Sequence, residues 1–233
     1  MRNIIFLMSI FLGITCIAQE EQTTNTFQPA TLKDTKSSLQ NRIKFPKTIT
    51  KTKNDVNIVV RCDAYVMQNG KFSTNFCFEN GDALYPYVTS INRAAKKAVI
   101  NPGRVNGTTR KVYFQYYVLF QKKENETSVK VIPNSGLEVE KYGFDYSSPQ
   151  RYKLGSGNFG AACGHDEQIT VNAVIDEKGV PESVAVLSDK AGEKCKTYLK
   201  ETFLEQKYIP AMANGKVIKA YYSEEIFDNF RAQ

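Results

Sequence analysis

The sequence predicts an α+β protein made of two copies of one β-β-α-β unit, each a three-stranded antiparallel sheet with one helix laid across it. Three observations predict it. A turn at Asn69-Gly70 is followed by Ile100-Asn101-Pro102-Gly103 and Asn106-Gly107, and about 108 residues later a turn at Lys178-Gly179 is followed by Ile209-Pro210-Ala211 and Asn214-Gly215. The turn glycine precedes the proline by 32 residues in one copy and 31 in the other, and each proline precedes its asparagine by four. Each copy then closes on an aromatic run, residues 111–120 and 219–227.

The first copy opens with residues 56–67, rich in Val, Ile and Tyr, turns at Asn69-Gly70 and returns through residues 71–78, the pattern of a β-hairpin. Leu84, Val88, Ile91, Ala95 and Ala98 then recur at three- and four-residue intervals. That spacing predicts a helix over about 82–98, with Asp82 as N-cap and Pro86 in the first turn, where its missing N–H costs nothing. Asn101-Pro102 stops the helix and Asn106-Gly107 turns the chain. Val112, Phe114, Tyr116, Val118 and Phe120 alternate as a third strand. The second copy repeats the order: strand 169–175, turn 176–179, strand 183–187, helix from about 193 to 207, then Pro210, Asn214-Gly215 and a strand over 217–227.

These boundaries divide the chain into a leader at 1–19, a polar segment at 20–55, a first unit at 56–123, a linker at 124–167 and a second unit at 168–233. Arg2, the apolar run 4–14 and Thr15-Cys16-Ile17-Ala18-Gln19 read as a cleaved export signal. The rival reading is an uncleaved anchor, but 4–18 offers 15 positions where a membrane helix needs about 20. Lipidation at Cys16 would want a small residue before it and an aliphatic one three before it; Thr15 and Gly13 stand there instead. Segment 20–55 carries no predicted element. The linker holds turn signals at Pro133-Asn134-Ser135-Gly136, Ser147-Ser148-Pro149 and Gly155-Ser156-Gly157, and its aromatics Tyr142, Phe144, Tyr146 and Tyr152 predict that part of it packs on a unit.

Four cysteines remain after the leader, an even number suited to an oxidising compartment. Cys62 and Cys77 lie symmetrically about Asn69-Gly70, and Cys163 and Cys195 both fall in the second copy. Of the three connectivities, one bridge per copy is the expected one, Cys62 with Cys77 and Cys163 with Cys195. A one-residue slip of the hairpin would put the first pair on opposite faces and leave it reduced. No C-x-x-C spacing exists and His165 is the only histidine, so no zinc site or other cofactor is expected.

The net charge of +7, from 31 basic and 24 acidic residues, is spread along the chain, and no basic stripe is interleaved with stacking aromatics. Nucleic-acid binding is therefore not expected. Catalysis is not expected either. Cys163 and His165 are two apart and do not face each other across a pocket, Glu224 and Glu225 lie on opposite faces of a strand, and no glycine-rich loop links a strand to a helix.

The second copy, with Val171-Asn172-Ala173-Val174-Ile175-Asp176-Glu177-Lys178-Gly179, Val184 to Ser188, Phe203, Tyr208-Ile209-Pro210-Ala211, Asn214-Gly215 and Phe227, resembles the C-terminal domain family of TonB, the periplasmic energy transducer of Gram-negative bacteria. The first copy matches more loosely, with Pro102-Gly103 where the pattern has Pro-Ala. The resemblance implies the β-β-α-β fold and a partner-binding mode in which an extended peptide adds to the last strand at the sheet edge. Members that transduce energy carry an uncleaved anchor and a proline-rich linker; this chain has 8 Pro in all and no run of them.

By position, the matching edges are residues 111–120, presenting Tyr113, Gln115, Tyr117 and Leu119, and residues 219–227, presenting Tyr221, Ser223 and Glu225. The expected function is that of an exported cell-envelope protein that binds a protein or peptide partner, an outer-membrane receptor among them. One alternative is a membrane-anchored transducer. Another is a structural protein whose edges pair with each other, with a second molecule as a homodimer, or under the linker.

Overall fold

Two antiparallel sheets organise the residues described in a computed structural model of the chain, namely 25–51, 54–78, 84–133, 138–143, 146–153, 163 and 169–226. The expected leader, Asp82, His165, Phe144, Gly155, Gly157 and Phe227 lie outside them. The chain enters through β1 (Phe27–Gln28), α1 (Leu39–Arg42) and α2 (Lys47–Thr50). The first half continues with β2 (Val56–Val66), β3 (Phe72–Cys77), α3 (Tyr85–Ala95), the hairpin β4 (Gly103–Val105) and β5 (Thr108–Arg110), β6 (Val112–Lys123) and β7 (Glu126–Pro133). After α4 (Val139–Tyr142) and β8 (Gln150–Lys153), the second half runs β9 (Ile169–Ile175), β10 (Pro181–Leu187), α5 (Glu193–Leu204), β11 (Lys207–Ile209), the hairpin β12 (Ala211–Ala213) and β13 (Lys216–Ile218), and β14 (Ala220–Ile226). The chain is α+β, and every strand pairing among the described residues is antiparallel.

The first sheet has the order β3-β2-β6-β7 and the second β10-β9-β14. Their registers correspond. Val66 faces Val112 on one side and Phe72 on the other, as Ile175 faces Ala220 and Pro181. In both halves the outer hairpin strand carries one extra residue just past the turn, Ser73 in β3 and Glu182 in β10, a β-bulge. Gly70 and Gly179 both have positive φ, 78° and 75°, and each accepts a backbone bond, from Ile100 N–H at 2.9 Å and from Tyr208 N–H at 3.1 Å. Asn106-Gly107 and Asn214-Gly215 form two-residue hairpin turns with φ of 51° and 73° in both, which is why Asn-Gly stands there.

Alternation decides the cores. Val60, Cys62, Ala64 and Val66 of β2 and Val112, Phe114, Tyr116, Val118 and Phe120 of β6 share one fully buried face, covered by Tyr87, Val88, Ile91, Ala94 and Ala95 of α3. In the second half Ile169, Val171, Ala173 and Ile175 of β9 meet Cys195, Leu199 and Phe203 of α5. The two cores exchange one residue each. Ile209 lies in the first and Tyr113 in the second. Gly103 stands at the position that Ala211 holds in the second half, and a Cβ there would come within 2.8 Å of both Ile209 Cδ1 and Val112 Cγ1.

Both expected disulfides form, Cys62 to Cys77 and Cys163 to Cys195. The register sets Cys62 directly opposite Cys77, so no slip separates them. Two disulfides are consistent with an exported protein. Among the described residues no helix is long and apolar enough to cross a membrane.

Four expectations need correction. Within segment 20–55, residues 25–51 hold β1, α1 and α2: Ala30, Leu39 and Ile43 are buried in the first core, and Ser38 caps α1 by accepting from Asn41 N–H at 3.2 Å. Residues 126–133, assigned to the linker, are β7 and belong to the first sheet, so that sheet has four strands. The strand expected over 217–227 breaks at Lys219 into β13 and β14, because β13 turns back on β12. Finally, residues 111–120 are not an edge, since β6 has β2 on one side and, from Tyr116 onward, β7 on the other.

A leading segment also belongs to each half. Gln28 faces Arg104 and Thr31 faces Asn101, as Ser147 faces Met212 and Gln150 faces Ile209, with the same spacing of three along both strands. The two leading segments are bound to each other. The buried Gln150 side chain accepts from Ala30 N–H at 2.8 Å and donates to Ala30 O at 3.0 Å, as a neighbouring strand would.

Candidate partner-binding edge

The two main sheets end on four strands, β3, β7, β10 and β14, and three of them are obstructed. β3 and β10 carry their bulges, and β10 begins on Pro181. On β7, Gln40 of α1 donates to Val129 O at 2.7 Å and accepts from Val131 N–H at 2.6 Å, so a side-chain amide occupies the place of a strand. β14 has none of these. Its seven residues pair with β9 in unbroken register, and no strand among the described residues pairs with its other side.

The direction of its backbone groups follows from alternation. Asp176 N–H bonds Val180 O across the β9–β10 turn. Ile175, Ala173, Val171 and Ile169 therefore turn their backbone groups the other way, onto Ala220, Tyr222, Glu224 and Ile226. The N–H and C=O groups of Tyr221, Ser223 and Glu225 then face away from the sheet. Tyr221 is 54% exposed, with Ser223 and Glu225 half-buried on the same side.

The residues named for the first edge have a different place. Tyr113 is buried and shared with the second core, while Gln115, Tyr117 and Leu119 are half-buried on the outer face of the first sheet. Pro102, Asn106 and Gly107, and likewise Tyr208, Pro210, Ala211, Asn214 and Gly215, build the turns and hairpins that lead into β6 and β14. Tyr208 also packs its ring 5.0 Å from that of Tyr222, and its buried hydroxyl has no hydrogen-bond partner among the described residues.

Charged side chains gather where β14 meets β8 and the first half. Arg151 of β8 donates to Glu224 through Nε at 3.0 Å and Nη2 at 2.6 Å, a two-point pair with both side chains under 10% exposed (2% and 7%). Burial works against the guanidinium, but the Glu224 carboxylate holds its pKa well above the ordinary value. Arg151 also lies 5.5 Å from the Tyr113 ring and 5.3 Å from the Phe203 ring, and its Nη2 donates to the Tyr65 hydroxyl at 3.4 Å. Tyr222 donates its hydroxyl to Glu224. On the other face, Arg61 Nη1 meets Glu225 Oε1 at 2.7 Å. Asp63, fully buried between them, accepts from the Tyr113 hydroxyl at 2.7 Å and lies 3.5 Å from Arg61 Nη2.

Sequence reasoning placed Glu224 and Glu225 on opposite faces of one strand, as found, but missed what they meet. The signal was present in alternation: Glu224 shares its face with Ala220, Tyr222 and Ile226, and Asp63 stands inside a strand of Val, Cys and Ala. A charge at such a place implies a buried counter-charge. Arg151 could not be paired with it from spacing, since 73 residues separate them. No protein-family model, curated protein or solved structure matches the chain.

Proposed function

We propose that this chain is an exported cell-envelope protein with two units of the TonB C-terminal type, and that it binds a protein or peptide partner by adding an extended segment to β14. The observation that carries the reading is the contrast among the four edges: β3, β7 and β10 are blocked by bulges, a proline or Gln40, whereas β14 turns the backbone groups of Tyr221, Ser223 and Glu225 outward in unbroken register. Strand addition draws affinity from such backbone groups and selectivity from alternate side chains. Tyr221 supplies an exposed aromatic surface for the first of these contacts.

The matching registers of the two sheets, the shared Gly70–Ile100 and Gly179–Tyr208 contacts and the paired Asn-Gly hairpins support a duplicated unit. The two disulfides support export. In this reading the units have diverged. The second binds, and the first, with its last strand sealed under β7, is the platform that holds it. The chain binds and does not catalyse. An outer-membrane receptor is the partner class that the TonB resemblance implies.

Panning the intact protein against a library of unstructured peptides tests the proposal. A selected peptide should lose at least about tenfold in affinity on Ser223→Pro, because proline removes an outward donor and leaves the ladder to β9 intact. Unchanged affinity in the proline variant would place the site elsewhere.

A further inference from the structure

Among the described residues, the junction between the halves brings together the carboxylates of Asp63, Glu224 and Glu225 and the guanidinium groups of Arg61 and Arg151. Glu224 and Glu225 each have a short ion pair, at 2.6 and 2.7 Å. Asp63 has only the longer contact to Arg61 and one hydroxyl, and its Oδ1 has no hydrogen-bond partner among the described residues. Asp63 is fully buried, and its carboxylate oxygen without a donor is where a proton would relieve the charge.

We propose that Asp63 takes up a proton at mildly acidic pH and that this uptake tightens the junction between the two halves. The groups around it are Arg61 and Tyr65 on β2, Tyr113 on β6, Arg151 on β8, and Glu224 and Glu225 on β14, with the apolar Phe76 opposite on β3. Burial is the largest influence and opposes ionisation. Arg61 and the Tyr113 hydroxyl favour it, and Glu224 and Glu225 oppose it again. The balance raises the Asp63 carboxyl from 3.8 to about 6.

The sign follows from proton counting. Between the two values the closed junction holds a proton that an opened, hydrated Asp63 releases, so closure weakens as pH rises from about 4 to about 6 and levels off above that. At about pH 5 the closed form gains roughly tenfold over its population ratio at pH 7.5.

Amide hydrogen exchange of the intact protein at about pH 5 and 7.5, corrected for intrinsic rates, reads this at β2 and β14. The wild type should show opening about tenfold rarer at the lower pH, and Asp63→Asn, which keeps an acceptor for Tyr113 and removes the charge, should show no such difference. A wild type without pH dependence at these strands, or an Asp63→Asn variant that keeps it, overturns the proposal. Infrared difference spectra of the wild type between the same pH values provide a reading free of any folding defect. The carbonyl stretch of a protonated, buried carboxylic acid should appear on acidification, and its absence also overturns the proposal.

Discussion

Arg151→Ala is expected to destabilise the protein by about 3–5 kcal/mol, seen as a lower midpoint in urea unfolding, because it strands the Glu224 carboxylate beside Tyr222 with no counter-charge. The pair is not a net source of stability for that reason. Replacing both residues by methionine should recover most of the loss, since an apolar pair of similar volume avoids the cost of burying two charges. The exposed pair Lys219–Glu182, with side chains 50% and 45% exposed, sets the contrast. Lys219→Ala should change stability by less than about 1 kcal/mol. Should Arg151→Ala prove as mild as Lys219→Ala, the Arg151–Glu224 pair would not be the closed, dry contact described.

Gly70→Ala and Gly179→Ala should each cost roughly 3–5 kcal/mol, and by similar amounts, because they break the same contact in the two halves. An added Cβ would overlap the carbonyl oxygen of Ile100 in one case and of Tyr208 in the other, atoms that belong to backbone and cannot rotate away. The turn must lift, and the hydrogen bonds from Ile100 and Tyr208 N–H go with it. The positive φ adds about 1–2 kcal/mol for any residue with a Cβ. Gly107 and Gly215 have similar φ, both 73°, but nothing within 4 Å of the added atom. Alanine there should therefore cost only the backbone term, and the difference between the two sets in thermal unfolding isolates the clash.

What was legible in the sequence was local or periodic. The Asn-Gly turns, the alternating core faces and the cysteines placed symmetrically about Asn69-Gly70 each state their geometry within a few residues, and the structure has them. β7 was less legible because its hairpin turns at Glu124, with φ of 55° and no glycine to mark it. The leading strands escaped for another reason: β1 is two residues long, and backbone bonds such as Asn101 N–H to Thr31 O at 2.9 Å hold its segment without any side-chain pattern. The blocked edges were illegible in principle from one strand at a time. Gln40 meets Val129 across 89 residues, and Arg151 meets Glu224 across 73. Such contacts exist only once the chain has folded.

The state of the β14 edge is most directly tested by residue-resolved amide exchange over Ala220–Ile226, with and without a selected peptide. In the free protein Tyr221 and Ser223 should exchange much faster than Ala220, Tyr222 and Glu224, whose groups bond β9, and peptide should slow the first set alone. If the first set is already as protected as the second in the free protein, or is unmoved by a bound peptide, β14 is not an open edge and the account of function fails.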